Sequence, residues 1–127
     1  MFDLDRKRKV GEIKMLESHV ERKFSQGCKN QGCFAMKVQS TVSGLPDRCV
    51  FLGQGRVVFV ELKQIHGKLS PIQKAIHYRL LVRGYRVYTL FGASDVDWFL
   101  TEELPLLISS YWPQAPVRQG VAGGAES

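Results

Sequence analysis

The sequence predicts an α/β domain with a mixed sheet and flanking helices, in the order α-β-β-β-α-β-α. Two apolar runs, Cys49–Leu52 and Val57–Val60, flank a Gly-Gln-Gly turn, a combination typical of a β-hairpin. A Ser-Pro-Ile-Gln sequence at residues 70–73 then opens a helix, and the apolar run at 85–91 predicts a fourth strand. The two hairpin strands are antiparallel, whereas a fourth strand reached through a crossover helix pairs in parallel. The predicted sheet is therefore mixed.

The first helix is predicted over Glu12–Gln26, where apolar residues recur at spacings of three and four, with Gly27 as its end. On a helical wheel, Glu17 borders the apolar stripe and Glu21 looks outward. Glu17 is therefore the helix carboxylate expected to reach the hairpin, with Glu21 as the alternative.

Alternation over Phe34–Gln39 predicts the first strand. Phe34, Met36 and Val38 are expected on one face, and Lys37 on the other. Lys37 is either a phosphate contact or a solubilising residue of an edge strand.

The hairpin brings two carboxylates together. If it is symmetric about Gln54, Asp47 lies directly opposite Glu61, with Cβ atoms roughly 4.5–5.5 Å apart. Such a like-charge pair is destabilising unless a hard divalent cation such as Mg²⁺ binds between the oxygens. Alternation puts Lys63 on the face of Glu61, whereas a one-residue slip would move Asp47 to the opposite face.

The second helix begins with a capping box, with Ser70 as N-cap, Pro71 at N1 and Gln73 at N3. It is predicted to run to about Arg83, and Gly84 fits the left-handed position beyond its end. Its polar positions are expected to form a basic surface; they are Lys74, His77, Arg79 and Arg83.

A short last helix is predicted over Asp95–Leu104, capped by Ser94 and ended by Pro105. The apolar segments Leu106–Ile108 and Tyr111–Trp112 have no predicted partner. They are candidates for an interface between two copies of the chain.

Size and charge limit the class of protein. The chain has 127 residues, 44% of them hydrophobic, which fits one domain, and its net charge of +6 favours a polyanionic partner. It has no long apolar run and no signal peptide, so we expect a cytoplasmic location, in a bacterial or virus-infected cell or on the nucleoid. The three cysteines match no zinc spacing and are predicted to be reduced, buried or half-buried thiols: Cys28, Cys33 and Cys49.

Three stretches in order resemble the virus-type replication-repair nuclease (VRR-NUC) family of the PD-(D/E)xK superfamily. They are Ser43–Arg48 (SGLPDR), Val58–Lys63 (VFVELK) and Lys68–Gln73 (KLSPIQ). The resemblance covers residues 12–100. We therefore divide the chain into a basic leader (1–11), a VRR-NUC-like domain (12–112) and a tail predicted to be disordered (113–127).

The resemblance implies a restriction-endonuclease-like fold and a Mg²⁺- or Mn²⁺-dependent DNA nuclease. Asp47, Glu61 and the backbone carbonyl of Leu62 would hold the metal, and Glu17, followed three residues later by aliphatic Val20, would complete the shell. Lys63 would act on the attacking water. The family also has a glutamine near the active site at the position of Gln73. Gln73 is therefore either an active-site residue or a capping residue, and the two roles are compatible.

Small members of the family are similar to Holliday-junction resolvases, which implies a structure-specific endonuclease acting as a homodimer on branched DNA in replication or repair. The candidate DNA contacts are Lys37, Lys68, Lys74 and Arg79. Two other classes remain open, a non-catalytic DNA-binding module and an accessory subunit of a replication or repair complex.

Overall fold

The computed structural model describes residues 2–112, with side chains at Lys7 and from Glu17 onward. It confirms the α/β class, and the bounds are α1 (Phe2–Asn30), β1 (Phe34–Lys37), β2 (Arg48–Phe51), β3 (Val57–Lys63), α2 (Pro71–Leu81), β4 (Arg86–Phe91), α3 (Gly92–Trp98), a π-helical segment (Phe99–Glu103) and α4 (Leu104–Ser109). The predicted tail at 113–127 lies outside the described residues. No helix in residues 2–112 has the length and apolar character needed to cross a membrane.

The four strands form one mixed sheet in the order β1-β2-β3-β4, with only the β3–β4 pair parallel. The hairpin has the register predicted from its symmetry, since Arg48 pairs with Val60 and Phe51 pairs with Val57. Its turn is closed by a hydrogen bond from the Arg56 N–H to the Gly53 carbonyl at 3.4 Å. Gln54 and Gly55 both adopt left-handed φ values there, 63° and 72°.

The core lies on one face of the sheet. Alternate residues of the central strands point toward α1 and the C-terminal helices, and together these elements enclose the buried apolar side chains: Phe24, Cys28, Cys33, Val50, Leu52, Val58, Val60, Leu90, Val96, Phe99, Leu100, Leu104 and Leu107. The opposite face bears Phe59, Glu61 and Lys63. Helix α2 covers part of that face, where Tyr85 contacts Phe59 edge to face.

Helix α1 corrects the predicted bounds, because it begins at Phe2 rather than Glu12 and continues through Gly27 to Asn30. A Cβ atom on Gly27 would lie 2.4 Å from the Leu100 side chain. This glycine therefore allows α1 and the C-terminal helices to approach closely. The extra turn also brings Cys28 into the core.

Strand β1 ends at Lys37 rather than at the predicted Gln39. Ala35 pairs with Val50 and packs on the core, whereas Phe34 pairs with Phe51 and is 63% exposed. The two phenylalanine rings are 5.8 Å apart on the outer face of the sheet. The predicted alternation is present, and the structure shows that Ala35 lies on the core face of the strand while Phe34 lies on the outer face.

The C-terminal helices also differ from the prediction. Helix α3 begins at Gly92 rather than after Ser94, and the Asp95 carboxylate accepts the Phe91 N–H at 2.8 Å. Pro105 does not end the helix. It lies in the first turn of α4, which follows the π-helical segment, and proline is tolerated there because that N–H needs no helical partner.

The apolar segments near residue 110 are largely used inside the domain. Leu107 is buried, and Ile108 and Trp112 pack against the core, while Leu106 and Tyr111 remain exposed. Most of the segment predicted as an interface is therefore part of the monomer's own core.

One buried arginine joins the hairpin turn to the end of α4. Arg56 Nε donates to the Gly53 carbonyl, and its NH1 lies 2.9–3.0 Å from the carbonyl oxygens of Leu107, Ile108 and Ser110. Its guanidinium also lies over the Trp112 ring, 5.6 Å from the centroid. These contacts satisfy carbonyls that the end of a helix leaves without partners.

The cysteines match the prediction. Cys28 and Cys33 are buried, Cys49 is half-buried, and all three are free thiols. Burial raises the pKa of Cys28 to about 12, so this thiol stays protonated at neutral pH.

Candidate active site

Asp47 and Glu61 meet at the open end of the hairpin, as the predicted register requires. The Asp47 N–H donates to Glu61 Oε1 at 3.2 Å, and the Leu62 N–H donates to Asp47 Oδ1 at 3.1 Å. Each carboxylate is thus held by a backbone group of the other strand.

Burial disfavours the ionised form of both carboxylates. Burial is the main cause of a raised pKa at Asp47, and it outweighs the lowering by the Leu62 N–H and Arg48. The pKa of Glu61 is raised by burial first and by the charge of Asp47 second, against lowering by Lys63. A positive charge between these groups would relieve both effects.

Lys63 and Gln73 approach Glu61 from the other side. Lys63 Nζ lies 3.6 Å from Glu61 Oε2, and Gln73 Nε2 donates to the same oxygen at 3.3 Å. Gln73 also completes the capping box, since its Oε1 accepts the Ser70 N–H and its own N–H donates to Ser70 Oγ. The two interpretations of Gln73 are therefore compatible, because its amide oxygen serves the cap and its amide nitrogen contacts Glu61.

Arg48 connects the site to α1 and corrects the predicted orientation of Glu21. The Arg48 guanidinium is almost fully buried, 3.4 Å from both Asp47 Oδ2 and Glu21 Oε1. Glu21 thus faces the sheet, whereas Glu17 is exposed and bonds to the Gln64 side-chain amide. The helical wheel gives only the angle around α1, and Glu21 lies about 6 Å further along the axis, level with Arg48.

His77 corrects another prediction, because it is buried rather than part of the basic surface of α2. It is 5% exposed, and its Nε2 has no hydrogen-bond partner among the described residues. Burial and the charge of Lys63 lower the pKa of His77, which therefore stays neutral near pH 7. His77 follows Gln73 by four residues and so lies on the same face of α2. This spacing could have predicted that His77 faces the sheet.

The predicted DNA contacts do not join the carboxylate cluster but lie around it on the surface. Lys37 ends β1 and pairs in register with Arg48, Lys68 lies in the loop before α2, and Lys74 and Arg79 lie on α2. All four are exposed. A cleft of about 610 Å³ also opens beside Lys63, between α1 and the start of α3.

The site offers a hard cation two carboxylates as ligands. No group of three or more His, Cys, Asp or Glu side chains within residues 17–112 is arranged to hold a metal. Mg²⁺, however, is usually bound by only one or two carboxylates and keeps several waters. Asp47 and Glu61, with their raised pKa values and fixed oxygens, meet that requirement.

The fold and these side chains define an α/β domain of a nuclease class, with a carboxylate pair beside a lysine at the end of a hairpin. Comparisons with known proteins agree. No family model matches the chain, but it is 35% identical over 75 residues to "Putative nuclease p44" of Acyrthosiphon pisum secondary endosymbiont phage 1, covering 58% of this chain and 81% of that protein. A solved structure described as a VRR_NUC domain is 28% identical, with a TM-score of 0.63 over 68% of this chain and 96% of its own. The chain belongs to the VRR-NUC family.

Asp47→Asn is expected to raise the free energy of unfolding of the metal-free protein at pH 7. Folding raises the pKa of Asp47 above 3.8, so the ionised form opposes folding; this cost is absent below pH 3.8 and grows as pH rises through the folded pKa. Asparagine mimics the neutral carboxyl and keeps an oxygen for the Leu62 N–H. Urea unfolding in EDTA from pH 3 to pH 8 measures the difference, which should shrink toward acid.

Asp97→Asn is the matched control, since Asp97 makes an exposed ion pair with Lys23. Surface pairs of this kind contribute about 0–1 kcal/mol, so this variant should gain nothing at pH 7. An Asp47→Asn protein less stable than the wild type at pH 7 would contradict the electrostatic account.

Proposed function

We propose that this protein is a Mg²⁺- or Mn²⁺-dependent DNA endonuclease of the PD-(D/E)xK type that hydrolyses phosphodiester bonds. The observation that carries the proposal is the meeting of Asp47 and Glu61 beside Lys63 on one face of the hairpin end. A carboxylate with a purely structural role would not require a second carboxylate and a lysine beside it.

The residues have distinct roles in this mechanism. Asp47, Glu61 and the Leu62 carbonyl would hold the cation, which when bound polarises the phosphate and activates water. Lys63 orients the attacking water, accepts or shares its proton, and offsets charge that develops on the phosphate in the transition state. Gln73 donates to Glu61 Oε2 and so keeps that carboxylate in place from a helix already fixed by its own cap.

The proposed substrate is branched DNA, and the proposed assembly is a two-fold homodimer that cuts paired strands, as in a Holliday-junction resolvase. The positive net charge and the exposed lysines and arginines around the site support a backbone-directed mode of binding. Leu107 and Trp112 pack in the core of the domain, so we propose that the interface lies on the outer face of β1 and β2 instead. Phe34, Met36 and Phe51 are exposed there on an edge of the sheet.

Cleavage of labelled four-way junctions, flaps, nicked duplexes and single strands tests the proposal. Wild-type protein should cut with Mg²⁺ or Mn²⁺ and not in EDTA, and Asp47→Asn should abolish cutting while remaining folded. Lys63→Ala should slow the chemical step about 10²–10⁴-fold, the usual range for a general acid or base. Its affinity for DNA should change by no more than one phosphate contact.

Calorimetry with Mn²⁺ distinguishes the enzyme from the two alternative classes. Wild-type protein should bind the ion and Asp47→Asn should not. A wild-type protein that binds DNA but neither Mn²⁺ nor any cleavable substrate would instead be a non-catalytic binding module or an accessory subunit.

The helix carboxylate is tested by Glu17→Gln and Glu21→Gln, a matched pair on one helix. Glu21 neutralises the buried Arg48 next to Asp47, so its loss should lower metal-dependent cleavage about 10–100-fold, as for other residues that orient metal ligands. Glu17→Gln should have a smaller effect, because Glu17 is exposed and its hydrogen bond goes to Gln64 rather than to Arg48. A greater loss in Glu17→Gln would restore Glu17 as the carboxylate that completes the site.

The proposed dimer is tested by sedimentation equilibrium at micromolar concentration. Wild-type protein should sediment as a dimer and cut the two strands of a junction in pairs. Phe34→Glu should give a monomer, because Phe34 is 63% exposed at the proposed interface. Leu106→Glu is the control, since Leu106 is 61% exposed on α4 and should leave the dimer intact. A monomeric wild type with unpaired cutting would reject the resolvase assignment and leave the nuclease proposal standing.

A further inference from the structure

A second surface near the site carries most of its charge on α1, outside the predicted DNA contacts on α2. A groove of about 980 Å³ runs between α1 and the end of β1; we call it the α1–β1 groove. Five of its nine lining residues are basic and only Glu21 is acidic. The basic residues are Arg22, Lys23, Lys29, Lys37 and Arg48.

Three of these charges are free to bind an anion. Arg48 is occupied by Glu21 and Asp47, and Lys23 is paired with Asp97. The other three, Arg22, Lys29 and Lys37, are exposed and form no ion pair with any residue of the described chain. A groove walled by unpaired cations attracts a polyanion more strongly than scattered surface charges do.

The spacing of the α1 cations suits a nucleic-acid strand. Arg22 and Lys29 lie two helical turns apart on one face of α1, about 10 Å along its axis. At that separation the two side chains can each contact a different phosphate of one strand. Lys37 faces them from the sheet side of the groove.

The groove ends next to the proposed metal ligands. Arg48 lines it and contacts Asp47, while Glu21 lines both the groove and the cleft beside Lys63. We infer that the α1–β1 groove holds the backbone of one DNA strand on one flank of the cleaved phosphate, through Arg22, Lys29 and Lys37. This inference rests on the proposed nuclease function and adds the path of the substrate to it.

Binding measured without cleavage tests the inference. In Asp47→Asn protein with EDTA, the affinity for a labelled duplex or junction is measured against salt concentration. Lys29→Gln should reduce the slope of log affinity against log salt by about 0.9, and the triple change at Arg22, Lys29 and Lys37 by about 2.7. Arg83→Gln is the control, because it removes one charge beyond the end of α2 and outside the α1–β1 groove, and it should leave the slope unchanged.

Phosphate-ethylation interference locates the contact. Ethylation of phosphates on one side of the cut should interfere with binding by the Asp47→Asn protein, and that pattern should disappear in the triple variant. Equal slopes for Lys29→Gln and Arg83→Gln, with an unchanged interference pattern, would overturn the inference while wild-type cleavage still supports the nuclease. Absence of cleavage by the wild type would instead count against the proposed function.

Discussion

The register of the β2–β3 hairpin is the constraint on which the site depends. The Asp47 N–H binds Glu61 and the Leu62 N–H binds Asp47, so each strand holds the carboxylate of the other. Because side chains alternate along a strand, a slip of one residue would turn Asp47 toward the core and separate it from Glu61. The left-handed turn at Gln54 and Gly55 therefore sets the geometry of a site six to eight residues away on each strand.

The same arrangement makes the site electrostatically unfavourable in the protein alone. Burial raises the pKa of both Asp47 and Glu61, and the nearby Arg48 and Lys63 compensate only in part. The neighbouring elements supply the stability that holds the carboxylates together, through the capped α2 and the buried core under β3. Such unfavourable local charge in a well-packed domain is typical of residues retained for chemistry rather than for folding.

Local signals predicted the parts of the structure that short sequence determines. The symmetric turn gave the hairpin register, the Ser-Pro-Ile-Gln sequence gave the cap of α2, and Gly84 has the predicted left-handed φ of 89°. The carboxylates of the proposed site follow from that register alone. Gln73 forms the predicted cap through its amide oxygen and contacts Glu61 through its amide nitrogen.

The errors arose where packing between distant segments decides the outcome. Gly27 resembles a helix end, yet it is required by Leu100, 73 residues later in the chain. The contact of Glu21 with Arg48 and the burial of His77 likewise depend on which element lies against them. Periodicity identifies a face of a strand or helix, but the partner that buries it comes from elsewhere in the fold.

The contacts of Arg56 affect how the domain is made. The hairpin turn is synthesised early, but the carbonyls that receive the Arg56 guanidinium belong to residues 107–110. Without these residues, the Arg56 side chain has only the Gly53 carbonyl as a hydrogen-bond partner in the described part of the chain. Burying a guanidinium with so few partners is costly. A chain that ended before Leu107 would therefore keep all four strands but leave the buried Arg56 guanidinium without three of its carbonyl acceptors.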